Sequence, residues 1–137
     1  MIEVVKAGNA GLMLGLLDRI GTGGAGQVRL YAGARPVASA APSGTLIALL
    51  LFADVAGTVE AATGDLVVSQ GPESVVLAGL SPTWARVSSG ENEHLFDCDA
   101  RLSTGAAAGQ ELVVSAPDGF YAGAIIRILG GTFSARP

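Results

Sequence analysis

The stretch Glu93-His94-Leu95-Phe96-Asp97-Cys98-Asp99-Ala100-Arg101-Leu102 decides the fold class. Phe96, Cys98, Ala100 and Leu102 fall on one face at a period of two, and Leu95, Asp97, Asp99 and Arg101 fall on the other. A helix would scatter those residues around its circumference, so the pattern predicts a β-strand with one face buried and one wet. On such a strand His94 and Cys98 share a face but stand roughly 13 Å apart at about 3.3 Å per residue. That is too far for a nucleophile and its base, which leaves Cys98 as a small core residue.

Working outward, the same kind of signal recurs at short spacing. Downstream, Thr104 to Gly109 is a run of small residues. Glu111 to Ala116 and Phe120 to Leu129 then flank Pro117-Asp118-Gly119, the composition of a hairpin turn. Upstream, Ser89-Gly90-Glu91-Asn92 reads as a turn and Thr83 to Ser88 as a strand. Ser74 to Ala78 and Asp65 to Ser69 are shorter strands behind Gly71-Pro72 and Thr63-Gly64. Thr45 to Phe52 is apolar on both faces, which fits a buried central strand. Gln27 to Ala32 alternates again, with Val28 and Leu30 opposite Arg29 and Tyr31, and ends at Gly33-Ala34-Arg35-Pro36. Residues 37–44 are small and loop-like.

Only the N-terminus has a helical period. Asn9 is placed as an N-cap, Leu12, Leu16 and Ile20 recur every fourth residue with Met13 and Leu17 alongside, and Gly21 stops the run. The expectation is an all-β chain, an antiparallel β-sandwich or jelly roll with one short N-terminal helix. Residues 1–26 form an N-terminal arm and short helix, and residues 27–137 a single sandwich domain.

Composition narrows the function. With 137 residues and 13.6 kDa, there is room for one core. Eight basic against twelve acidic residues leave a net charge of −4. Nucleic acid is thus an unfavourable partner, because phosphate neutralisation needs a basic footprint. The longest apolar run, Leu46 to Ala53, falls far short of the ~20 residues of a membrane helix. Met1 to Lys6 lacks the basic-then-apolar order of a signal peptide, and a single cysteine forms no internal disulfide, so synthesis in a reducing cytoplasm is expected. Charged residues are 15% of the chain and apolar ones 50%, with a mean hydropathy of +0.51. So few charges leave two readings open: part of the surface is covered by partners, or the genome favours Ala and Gly codons.

Chemistry-bearing motifs are sparse. Gly21-Thr22-Gly23-Gly24-Ala25-Gly26 matches G-x-G-x-x-G, but a helix precedes it and a strand follows, the reverse of a dinucleotide site, so a flexible connector is expected. Glu91, Glu93, Asp97 and Asp99 with His94 make an acidic cluster that fits a solvated strand face better than a Ca²⁺ site. The one histidine, without a G-x-S-x-G elbow, supports no catalytic triad, and zinc wants more Cys and His than the chain has. No enzyme, metal or cofactor is expected. Trp84 beside Arg86 is either an interface anchor or a half-buried core edge. Seven of the eight basic residues are arginine, which suits bidentate interface pairing.

The run Gln27 to Pro36, followed by a small-residue loop and Ser43-Gly44-Thr45-Leu46-Ile47-Ala48-Leu49, resembles a family of small virion proteins of tailed bacteriophages. The likeness continues in Thr83-Trp84-Ala85-Arg86-Val87 and Gly109-Gln110-Glu111-Leu112-Val113-Val114-Ser115, and so spans nearly the whole chain. Asp54 to Glu73 departs from it in being poorer in Ser and Thr. The resemblance implies a capsid cement or decoration protein on the capsid surface of the virion, made in the host cytoplasm. It would bind the major capsid protein and other copies of itself, as a dimer or trimer. Leu12, Met13, Leu16, Tyr31, Arg35, Trp84 and Arg86 are the candidate interface residues. The N-terminal segment either grips a neighbour or caps an open end of the sandwich, and the tail Ser134 to Pro137 is a second candidate arm. A neck or tail protein of the same virion is the first alternative. A carbohydrate-binding β-sandwich is the second, and seven scattered aromatics give it no evident platform.

Overall fold

The computed structural model describes residues 4–37, 40–42, 44–103, 111–117 and 119–135. One helix, α1 (Lys6–Ile20), precedes nine strands: β1 (Gln27–Tyr31), β2 (Leu46–Leu51), β3 (Gly57–Val59), β4 (Leu66–Val68), β5 (Ser74–Val75), β6 (Trp84–Ser88), β7 (His94–Leu102), β8 (Glu111–Ser115) and β9 (Ile125–Phe133). The chain is mostly β with one short helix. The strands run in the order β2-β1-β6-β7-β8-β9-β4-β3, with β5 attached to β9.

That sheet curls into a half-barrel. β5 fastens the curl, because Ser74 and Val75 pair with Ile126 and Ile125 of β9 while the Ser74 hydroxyl donates to Leu49 O of β2 at 2.7 Å. Leu77 N donates to Ile47 O and Gly71 N to Ile128 O, so the 71–77 segment stitches the β2 edge to β9. One apolar core fills the concave side. It draws Val28, Leu30, Leu50 and Val87 from one half and Leu66, Leu112, Ile126 and Ile128 from the other.

Most pairs are antiparallel, but β7 and β8 run parallel, with Asp99 opposite Glu111. Residue alternation carries no information on strand direction, so the sequence offers no sign of this. The connection includes the predicted Thr104–Gly109 loop, which lies outside the described residues. β8 and β9 are antiparallel as the turn composition predicts, but Ser115 pairs with Arg127, so the connection is a long loop and not a tight hairpin. Ile125 and Ile126, ahead of Arg127 on β9, pair with β5. Asp118 of the predicted turn lies outside the described residues. Within Asp54–Glu73, β4 lies inside the predicted Asp65–Ser69 strand, whereas β3 forms ahead of it where the sequence shows no strand.

Two other expectations change. β2 is the terminal strand of the sheet and not a central one, and its Leu49 and Leu51 stay exposed. α1 begins at Lys6, so Asn9 sits within the helix and not at its cap. It is completely buried, because its amide donates to Thr63 O and to Asp65 Oδ1 while its oxygen accepts from Ala135 N. One side chain thus ties the helix, the β3–β4 connection and the C-terminal segment. The buried stripe of α1 is Asn9, Met13 and Ile20, which turns Leu12 outward at 54% exposure.

The glycine motif is a tightly packed connector. Gly23 has φ +79°, and a Cβ there would lie 2.3 Å from Glu91 Cγ; a Cβ at Gly90 would meet the Gly24 backbone at 2.6 Å. Glycine at these positions lets the connector lie directly on the β6–β7 turn.

Candidate functional site

Strand register builds the most organised polar cluster. Tyr31, Trp84 and Asp99 are consecutive partners across β1, β6 and β7, as are Arg29, Arg86 and Asp97. All six therefore project from the convex face, opposite the core. The Tyr31 and Trp84 rings stack at 4.5 Å with 15° between planes, and the Arg86 guanidinium lies 5.6 Å from the Trp84 ring.

Arg86 grips Asp97 with both ends of its fork, Nε to Oδ1 at 2.8 Å and Nη2 to Oδ2 at 2.9 Å; Nη2 also donates to Ala40 O at 2.9 Å. The two side chains are 10% and 4% exposed, so this is a buried ion pair. Asp97 is accordingly not on a solvated face, contrary to the reading of the acidic cluster. Burial alone would push its carboxyl up, but hydrogen bonds from Arg86 and His94, with their charges, outweigh that and hold it below the ordinary range. The hydrogen bond to Asp97 outweighs burial for Arg86 as well and raises its pKa.

His94 reaches Asp97 Oδ1 through Nε2 at 2.9 Å. In a regular strand, residues three apart face opposite ways. Here the β6–β7 register jumps between Val87–Phe96 and Ser88–His94, so Leu95 is an extra residue that swings His94 onto the Asp97 face. The same bulge separates His94 from Cys98, which points into the core. Burial pushes the Cys98 thiol up to about 12, so it stays protonated and inert.

Two other acids of the cluster pair elsewhere, Glu93 with Arg19 and Asp99 with Arg35 at 3.3 Å. Among the described residues no group of three or more His, Cys, Asp or Glu could hold a metal ion. A cleft of about 340 Å³ lies beside the cluster, with Met13, Leu16, Phe96 and Phe133 on its apolar wall and Asp97 and Asp99 on its polar one. Chemically, the cluster locks three strands and holds the backbone at Ala40. The Asp97 carboxylate is already engaged on both oxygens, and Thr83 Oγ1 adds a 2.6 Å bond to Gly33 O.

The seven sequence-predicted interface residues divide. Met13, Tyr31, Trp84 and Arg86 are buried within the chain itself. Leu16 is partly buried against the core, and Leu12 and Arg35 face outward. Trp84 Nε1 is buried without a hydrogen-bond partner.

Sequence reasoning missed a group of exposed aliphatic side chains on the strands joined by the 71–77 seam: Leu49 and Leu51 from β2, Val75 and Leu77, and Ile125 and Leu129 from β9, each 37–58% exposed. The available signal was the alternation of Val75-Val76-Leu77 and Ile125-Ile126-Arg127-Ile128-Leu129, which is apolar on both faces.

No helix of the described residues is long and apolar enough to cross a membrane. Comparison with models of protein families, with curated proteins and with solved structures finds no match.

Proposed function

We propose that this chain is a non-enzymatic structural protein of a tailed-phage virion, a cement or decoration protein that binds the outside of the capsid shell and stabilises capsomer junctions. The observation that carries the reading is large aliphatic side chains exposed on more than one element, on α1 as well as on β2, β5 and β9. Val5, Leu12 and Leu14 lie at the N-terminal end, well apart in sequence from the 71–77 seam. Single exposed aliphatics are ordinary, but a contiguous group marks a surface that is covered in use. A lattice protein touching several neighbours needs several such surfaces, and many copies turn weak contacts into firm attachment. The sequence resemblance supports the same assignment.

A finer architecture goes with this reading. The β2-β1-β6 and β9-β4-β3 halves of the curled sheet act as the two facing layers of a sandwich, sharing one core as the layers of a sandwich do. Locked strands below and adaptable apolar patches above suit a rigid clamp.

Heads purified without this protein should swell or burst at lower temperature and lower salt than complete heads, and adding it back should restore them. Unchanged head stability overturns the cement role. Hundreds of copies per particle by mass spectrometry fit the capsid, whereas a few dozen or fewer point to the neck or tail. The carbohydrate reading is disfavoured because Trp84 is fully buried and Tyr121 is the exposed aromatic ring.

A further inference from the structure

We propose that the β2–β5–β9 seam is the surface through which two copies of this chain associate about a twofold axis. The inference assigns one surface within the lattice role above, and it is testable without capsids. Val75 and Ile125 are directly paired, and the Ser74–Leu49 and Leu77–Ile47 bonds bring β2 alongside, so the exposed side chains of Leu49, Leu51, Val75, Leu77, Ile125 and Leu129 form one patch.

The charges on the patch choose the occupant. The chain carries −4, so two copies repel through most of their surfaces. The seam is balanced instead, because Arg127, between Ile125 and Leu129 on β9, pairs with Glu73 next to β5. The two side chains are 30% and 54% exposed, open enough to meet another molecule. A twofold axis passing beside this pair would set Arg127 of each copy near Glu73 of the other, making the patch complementary to itself in sign as well as in hydrophobicity. An anionic or cationic partner would find only half of that match.

Sedimentation of the purified chain over a micromolar concentration series tests this. The wild type should form a dimer, and Val75→Glu should weaken it about a hundredfold or more by placing a charge in the buried patch. Leu12→Glu, on the exposed side of α1 and outside the patch, should leave the dimer intact. Arg127→Glu and Glu73→Arg should each be monomeric alone, and mixing the two should restore a dimer, since each then offers the charge the other lacks. Repair of the pair within one chain cannot produce that rescue. Circular dichroism checks that each variant is folded. A wild type that stays monomeric, a folded Val75→Glu that still dimerises, or a mixture that fails to associate overturns the proposal. If the wild type is monomeric and Val75→Glu instead loses binding to heads, the patch belongs to the shell: this inference then fails while the cement reading stands.

Discussion

The strand β6, flanked by β1 and β7, buries both of its faces, and it does so by two different chemistries. On the concave face Val28, Leu30, Ala85, Val87 and Cys98 join an apolar core. On the convex face Tyr31 and Trp84 stack, and Arg86 and Asp97 form an ion pair held from outside by His94 and Ala40. The first face is stabilised by removing surface from water and tolerates any side chains of suitable volume. The second is stabilised only while every partner is present, because an unpaired buried charge costs more than the pair gains. One set of strands therefore carries a forgiving side and an unforgiving side.

The largest expected effect comes from breaking the unforgiving side. Arg86→Ala leaves the Asp97 carboxylate buried with only His94 and should cost about 3–5 kcal/mol in urea unfolding. Replacing both residues, Arg86→Met with Asp97→Met, should cost less than that single change, because no orphaned charge remains. A double variant at least as damaging as the sum of the singles would refute the coupling.

On the forgiving side Leu30→Ala should cost about 2–5 kcal/mol through lost transfer energy and a cavity. The two faces separate by pH. The Asp97 carboxyl titrates lower in the folded chain than in the unfolded one. Its stabilisation is therefore complete above the ordinary carboxylate pKa of about 3.9 and lost as pH falls through that value towards the folded one. Asp97→Asn should flatten the acid limb of the stability profile, and Leu30→Ala should lower the profile without changing its slope. Unfolding titrations between neutral pH and the acid limit check both.

Asn9→Ala should cost about 1–3 kcal/mol, since it strips the partners from Thr63 O and Ala135 N at a buried site. Hydrogen exchange should then speed up first in α1 and at the C-terminal end of β9. The smallest effect should come from Glu93→Gln, which removes the surface pair with Arg19, each side chain about half exposed. A loss of about 0–1 kcal/mol that fades further in salt is expected.

How much of this was legible follows from what each signal measures. β1, β6 and β7 were readable because each alternates, and their inward residues are the core residues the pattern picks out. β3 was not, since three residues, Gly57-Thr58-Val59, carry too little periodicity to register. The burial of Asp97 was hidden because a strand's period assigns a face but does not say what lies over it. Its contact with His94 was hidden by the bulge at Leu95, which breaks the period. Trp84 and Arg86 were readable as sharing a strand face; that Tyr31 stacks on Trp84 and that Asp97 clasps Arg86 depend on which strand lies beside which.

The sequence by itself determined that this is a mostly β chain with one short helix, which side chains share a strand face, and that the glycine motif is a connector. These follow from local backbone geometry, in which a period of two or of 3.6 residues is written directly into the order of apolar and polar residues. Only the tertiary structure decided the parallel pairing of β7 with β8, the edge position of β2, the role of Asn9 as a tie and the exposed seam over β5. Those depend on which strand lies beside which, and strand neighbours are chosen by contacts between residues far apart in the chain, of which a local pattern carries no trace.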